Sequence, residues 1–289
     1  MKNETESTQP SLEALVEMAK AGDKYSLEKI VRRIQDRIYG IALRMLYHPA
    51  DAEDATQEIL IKIITHLNSF EKRSSFSTWA YKVASNHLLT TKKRMAESYN
   101  YNFEIYEQML DKRDSYSRLN NLNQAEMGLM DEEMKLTCTQ GLLLCLRREL
   151  RLAFILGEVF GATTKEGAEI LDISKDAYRK RLSRGRKLIR DFMLKNCSLV
   201  NSSNICRCAE AIKFHIKKRM INPDRPLFIT HPSHNSQEIK NKQYFKELDE
   251  LGKVTAIFRS HPDYAAPEAF VGIVKKLVDS GRFELLNNH

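Results

Sequence analysis

Apolar residues recur at helical spacing along most of the chain, and breaks in that pattern divide it into four parts. From Ser11 to Arg94 the helical period holds throughout. Within it Ala52, Ala55, Ile59, Ile63 and Leu67 form the stripe of one predicted helix, with Asp51, just after Pro49, placed to cap it. Phe76, Trp79, Ala80, Val83 and His87 form the stripe of the next, with Trp79 read as core. Residues 95–131 are polar, rich in Asn and Tyr, and poorly phased, which is the pattern of a linker with little core of its own. A second periodic unit spans 132–195, and residues 196–289 follow as a Cys-containing extension. In the extension, Tyr244, Phe245, Leu248 and Leu251, followed by Gly252, predict one short helix. Phe270, Ile273, Val274, Leu277 and Val278, between Pro267 and Gly281, predict another. The expectation is an all-α protein. Helical domains at 11–94 and 132–195 are joined by a flexible linker at 95–131, and a small, mostly helical C-terminal extension occupies 196–289.

The punctuation between residues 146 and 190 is the most specific. Leu146 to Phe160 predicts a helix that stops at Gly161. Thr163 or Thr164 can cap a short helix ending at Leu171, Asp172-Ile173 turns the chain, and Ser174 can cap a third helix. Its apolar residues are Ala177, Leu182, Leu188 and Ile189, and the rest is densely basic. A helix-turn-helix sets the N-terminal residues of such a helix against base edges in the major groove, with flanking cations on phosphates. Lys175, Asp176, Tyr178 and Arg179 are the candidate base contacts, and Arg181, Arg184 and Lys187 the candidate phosphate contacts. Gly167, inside the preceding helix, costs about 1 kcal/mol against Ala and points to close approach by the third helix.

Charge agrees with this. Lys and Arg total 46 against 38 Asp and Glu, for a net +8, which favours a polyanionic partner. The N-terminus has no apolar core of signal-peptide type, and the best candidate apolar run, Gly141 to Leu146, is far too short to span a bilayer. The expectation is a cytoplasmic protein with no membrane association. In the first unit Asp54, Gln57 and Glu58 lie off the apolar stripe. Lys82, Asn86, Thr90, Lys93 and Arg94 occupy the polar faces of the following helix, with Asn86 and Thr90 one turn apart. Basic and amide side chains beside aromatic ones suit single-stranded nucleic acid.

In order along the chain, Asp51-Ala52-Glu53-Asp54 with Gln57-Glu58, Phe76 through Asn86, and Ala168-Glu169-Ile170-Leu171 through Arg184-Gly185-Arg186 resemble the extracytoplasmic-function group of bacterial RNA polymerase sigma factors. The resemblance covers both helical units. It implies two helical domains, core RNA polymerase and promoter DNA as partners, an anti-sigma factor as a further one, and no covalent chemistry. By resemblance Asp54, Gln57 and Glu58 dock on the polymerase clamp coiled coil. Lys82, Asn86, Thr90, Lys93 and Arg94 help open and hold the minus-ten element, and the helix from Lys175 reads the minus-thirty-five element as duplex. Thr90 stands where the family often has Asp, and Gly167 where it usually has a branched apolar residue. Cys138 through Leu146 and Asn201 through Cys208 resemble a subgroup with a Cys-containing C-terminal extension.

Cys197, Cys206 and Cys208, with His215 beyond, have three readings. Thiolates and imidazole can hold zinc, basic neighbours such as Arg207 can favour a redox-active thiolate, or the thiols are incidental. Cys138 and Cys145 read as core. No other cofactor is implied. Two competing functions are a free-standing helix-turn-helix regulator and an enzyme sited in the tail. For the latter, His231, His234, His261 and Asp263 form no recognisable catalytic spacing.

Overall fold

In the computed structural model, residues 10–92, 102–111, 123–233 and 248–279 are described. The first unit is built on α2, Lys24–Leu46, whose cap Asp23 accepts from the amides of Tyr25 at 3.1 Å and Ser26 at 3.2 Å. Helices α1 (Leu12–Lys20), α3 (Pro49–Thr65) and α4 (Phe76–Thr90) pack around it. The predicted stripe of α3 is buried at Ala52, Ala55, Ile59 and Ile63, and Leu67 is buried in the short turn that follows. The helix starts two residues before the expected cap Asp51. Pro49 takes the first helical position, where its missing N–H is no loss, and His48 precedes it without a side-chain cap. Trp79, read as core, is half-buried and packs with Phe70 and Phe76 at the edge of the core.

The segment read as a linker carries structure. Helix α5, Phe103–Asp111, buries Tyr106, and α6, Gln124–Leu144, begins inside the same segment on a capping box made by Asn123 and Glu126. Next come α7 (Arg148–Phe154), a π-helical turn (Ile155–Val159), α8 (Thr164–Leu171) and α9 (Lys175–Asn196). Gly161 follows with φ +67°, as the stop signal predicts. Leu188, expected to face inward, is exposed.

The extension contributes α10 (Cys208–Lys217), α11 (Glu250–Arg259) and α12 (Ala269–Asp279). Helix α11 begins where sequence reading ends a helix, because the Asp249 carboxylate accepts from Gly252 N at 2.7 Å and makes that glycine part of the first turn. Tyr244, Phe245 and Gly281 lie outside the described residues.

The extension fastens to both units. Helix α11 packs on α9, and α12 packs on α2 and α3. Arg44 of α2 is buried, donates to Pro262 O at 3.2 Å, and is pushed down to about 10 by that burial. Glu133 of α6, also buried, accepts from the amides of Leu227 (2.8 Å), Phe228 (3.1 Å) and Ile229 (2.9 Å). Inside the π turn, Glu158 accepts from Arg186 of α9 at 2.6 Å and from Thr255 of α11 at 2.7 Å.

Three histidines of the extension carry a pH dependence. Burial lowers His215, His231 and His261 below the ordinary 6.5, with Arg44 and Lys135 pushing His261 further. Each is held neutral when docked and takes a proton below about 6.5 when released. Stability from docking is therefore full above that pH and is lost as pH falls through it. Hydrogen exchange should show α10 to α12 opening more often at pH 5.5 than at 7.5. Equal opening at both, after correction for intrinsic exchange rates, would contradict this. Among the described residues no helix is long and apolar enough to cross a membrane.

Candidate nucleic-acid interface

Local chemistry builds the helix-turn-helix. Thr163 and Glu166 form a capping box at α8, with Glu166 N donating to Thr163 Oγ1 at 3.2 Å and Thr163 N to Glu166 Oε2 at 2.8 Å. Those hydrogen bonds hold the Glu166 carboxyl below its ordinary value. Asp172 takes the left-handed conformation, φ +54°, to turn the chain, and Ser174 Oγ accepts from Ala177 N at 3.1 Å to start α9. Lys175, Asp176, Arg179, Arg184 and Lys187 are exposed on α9, and Arg181 is half-buried. Asp176 pairs with Arg179 one turn on, both side chains exposed at the N-terminal end of the helix.

Tyr178, expected at a base edge, is fully buried. Its ring fills the space above Gly167, where a Cβ would lie 2.1 Å from the Tyr178 Cζ. Its hydroxyl reaches Ala153 O at 3.4 Å, and burial pushes the phenol up to about 12. Gly167 therefore exists to admit Tyr178, and Tyr178 joins α8 to α9 as core. Arg186, one of the basic residues of α9, turns inward to Glu158.

On α4, Ser75 caps the first turn and Asn86 is exposed. Thr90 is exposed too, but its hydroxyl donates to Asn86 O at 2.8 Å, so it presents its methyl group and a committed oxygen. Lys82 is ion-paired at 2.8 Å with Asp172, the turn residue of the helix-turn-helix. Lys93 and Arg94 lie outside the described residues. On α3, Asp54 and Glu58 are exposed and Gln57 is half-buried, all off the buried stripe. Glu58 also lies 3.6 Å from His87 Nε2 of α4, and Lys62 Nζ lies 2.8 Å from His87 Nδ1, so His87 ties the two helices together.

Helix α4 packs against α8, and the Lys82–Asp172 pair sets one candidate DNA surface against the turn that precedes the other. Sequence reading assigns Asp172 only a turn and gives Glu158 no role. Neither contact has a local signal, since each joins residues far apart in the chain.

Residues 30–96 match the family model described as Sigma-70 region 2, and residues 136–189 match that described as Sigma-70, region 4. The chain is 27% identical over 186 residues to the RNA polymerase sigma-H factor of Pseudomonas aeruginosa, covering 63% of this chain and 93% of that one. It is 28% identical over 188 residues to the ECF RNA polymerase sigma-E factor of Escherichia coli K12, covering 63% and 94%. It is 27% identical over 180 residues to the ECF RNA polymerase sigma factor SigW of Bacillus subtilis, covering 61% and 92%. A solved sigma factor RpoE, in complex with the anti-sigma factor NepR, from Bartonella quintana, overlays at TM-score 0.37 with 18% identity over 57% of this chain and 94% of that one. Both family matches end by residue 189, before the extension.

Proposed function

We infer that this chain is a sigma factor of the extracytoplasmic-function group, which binds core RNA polymerase and directs promoter-specific initiation. The observation that carries this is the order of the two regions on one chain, a polymerase-docking and strand-opening unit ahead of a duplex-reading one. Asp54, Gln57 and Glu58 of α3 supply the docking face, clear of the buried stripe. Asn86, Thr90 and Lys82, followed by Lys93 and Arg94, face the opened minus-ten strand. Held bases offset the cost of unstacking, a few kcal/mol per step. Lys175, Asp176 and Arg179 read the minus-thirty-five duplex, while Arg181, Arg184 and Lys187 hold its phosphates. The protein contributes binding and no chemical step. The extension with Cys197, Cys206 and Cys208 marks a subgroup within the family.

The packed arrangement is a closed form. Elements centred near minus ten and minus thirty-five lie about 25 base pairs apart, or about 85 Å at 3.4 Å per pair. Here Lys82, one turn from Asn86, pairs at 2.8 Å with Asp172, three residues from Lys175. Engaging both elements at once requires that contact to break. The pair is weak, worth about 0–1 kcal/mol at its exposure. The larger restraint is the extension, which grips α9 through α11 and α2 through α12.

Replacing Gln57 and Glu58 together by Ala tests the docking face. Affinity for core polymerase should fall by at least tenfold in a direct binding assay, with duplex binding by the free chain unchanged. Unaltered polymerase affinity would remove α3 from the docking surface.

A further inference from the structure

We propose that Cys138, Cys197, Cys206 and Cys208 are the four thiolate ligands of a structural zinc ion that joins the end of α9 to the C-terminal extension. Three separate elements bring these residues to one place. Cys138 lies on α6, Cys197 caps the C-terminus of α9, and Cys206 and Cys208 lead into α10. Cys197 and Cys206 face each other in a parallel β-bridge, where Ser198 N donates to Cys206 O at 3.3 Å.

All four line a single cavity of about 30 Å³ whose walls, from side chains such as Met134, Phe192 and Met193, are otherwise mostly apolar. That volume holds an ion or a water or two and excludes an organic ligand. The dry wall favours sulfur donors and a borderline-soft cation over a hydrated hard one. Burial raises the Cys138 thiol, and the nearby Cys206 and Cys197 raise it further. Burial likewise raises Cys208, with Cys138, Asp131, Cys197 and Cys206 adding to it. The same burial makes them poor nucleophiles and counts against a redox switch.

The site also has an outer shell. Cys197 is raised by burial, against which the Leu199 and Val200 amides hydrogen-bonded to its sulfur act, an arrangement that supports a thiolate ligand. Asn204 Nδ2 donates to Leu194 O at 2.9 Å and to Cys197 O at 3.2 Å, which holds that turn in place. Among the described residues no group of three His, Cys, Asp or Glu side chains is already set to hold a metal ion. Binding an ion would require the four thiols to close around it and to release their protons to solvent.

Cys138 takes the place that sequence reading gives His215. His215 lies seven residues beyond Cys208 on α10, two turns or about 10.5 Å along the axis, and its Nδ1 is bonded to Ala211 O at 2.8 Å. Its ring lines the same cavity, but its Nδ1 is committed to that carbonyl, and the four thiols are therefore assigned as the ligand set. Cys145, seven residues beyond Cys138 on the other side, donates to Gly141 O at 3.6 Å and does not line the cavity.

The test is elemental analysis of the full chain purified without chelator or polyhistidine tag, followed by cobalt(II) exchange. We expect one zinc per chain and, with cobalt, the absorption of a tetrahedral four-thiolate site. Cys138→Ser should lose the metal or convert the cobalt spectrum to that of a three-sulfur site. His215→Ala should leave both metal content and spectrum unchanged. Zinc well below one equivalent even after zinc is supplied, copper or iron in its place, or a Cys138→Ser spectrum identical to the wild type would overturn the proposal. The wild-type measurements stand whether or not a variant folds.

Discussion

Gly167→Ala should destabilise the helix-turn-helix and abolish binding to duplex promoter DNA. A Cβ at this position would lie 2.1 Å from Tyr178 Cζ and 2.5 Å from its hydroxyl oxygen, inside a ring that is fully buried. Overpacking of a core costs about 1–3 kcal/mol and occasionally more, and overlap with a rigid ring sits at the upper end. Alanine returns about 1 kcal/mol of helix propensity, which is not enough to cancel it. The net loss of about 2 kcal/mol should lower the melting temperature by roughly 4–8 °C. It should also swing α9 away from α8, because Tyr178 is the side chain that joins them. Adding Tyr178→Leu to Gly167→Ala should recover part of the loss, since a smaller side chain vacates the space. Thermal melts and duplex-binding titrations of the single and double variants check this. A melting temperature unchanged by Gly167→Ala would mean that the ring does not occupy that space.

Glu133→Ala should release the extension while leaving the two promoter-reading units folded. The carboxylate is buried and gathers three consecutive amides, those of Leu227, Phe228 and Ile229. Hydrogen bonds to a charged group are worth about 1.5–3 kcal/mol each, and amides left unpaired on burial carry a similar penalty. A loss of about 3–5 kcal/mol exceeds what the local packing of residues 226–231 can restore. Hydrogen exchange should show protection lost at 227–229 and weakened in α11 and α12, with α2 and α8 unaffected. Because the extension grips both units, the variant should also open the Lys82–Asp172 contact and bind core polymerase more tightly. Full protection at 227–229 in the variant would remove Glu133 as the anchor.

The parts of this molecule that follow from short-range chemistry are legible in the sequence. Gly161, Asp172 and Ser174 act on the residues beside them, so local signals alone place the helix-turn-helix, and the stripe of α3 needs only its period. Residues whose role is set by distant partners are not legible. Tyr178 sits on a helix so basic that a single aromatic reads as one more contact. Its burial is decided by the missing side chain at Gly167, on another helix. Lys82 reads as a cation free for DNA, and its partner Asp172 lies 90 residues on. Glu158 and Glu133 each look like ordinary acids of a helix, yet each is buried because the extension returns to cover it. Helix α5 reads as linker because its neighbours in sequence are polar, whereas Tyr106 finds its core against α6 and α9.

The central claim is that one chain carries both a polymerase-docking unit and a promoter-reading unit. Transcription by purified core RNA polymerase on linear genomic fragments, with 5′ ends mapped with and without this chain, tests it most directly. The account predicts discrete new start sites that depend on the chain, vanish with the Gln57 and Glu58 double variant, and share sequence near minus ten and minus thirty-five. A free-standing regulator would bind duplex DNA through α9 yet leave the start sites of core polymerase unchanged, and that result would contradict the account.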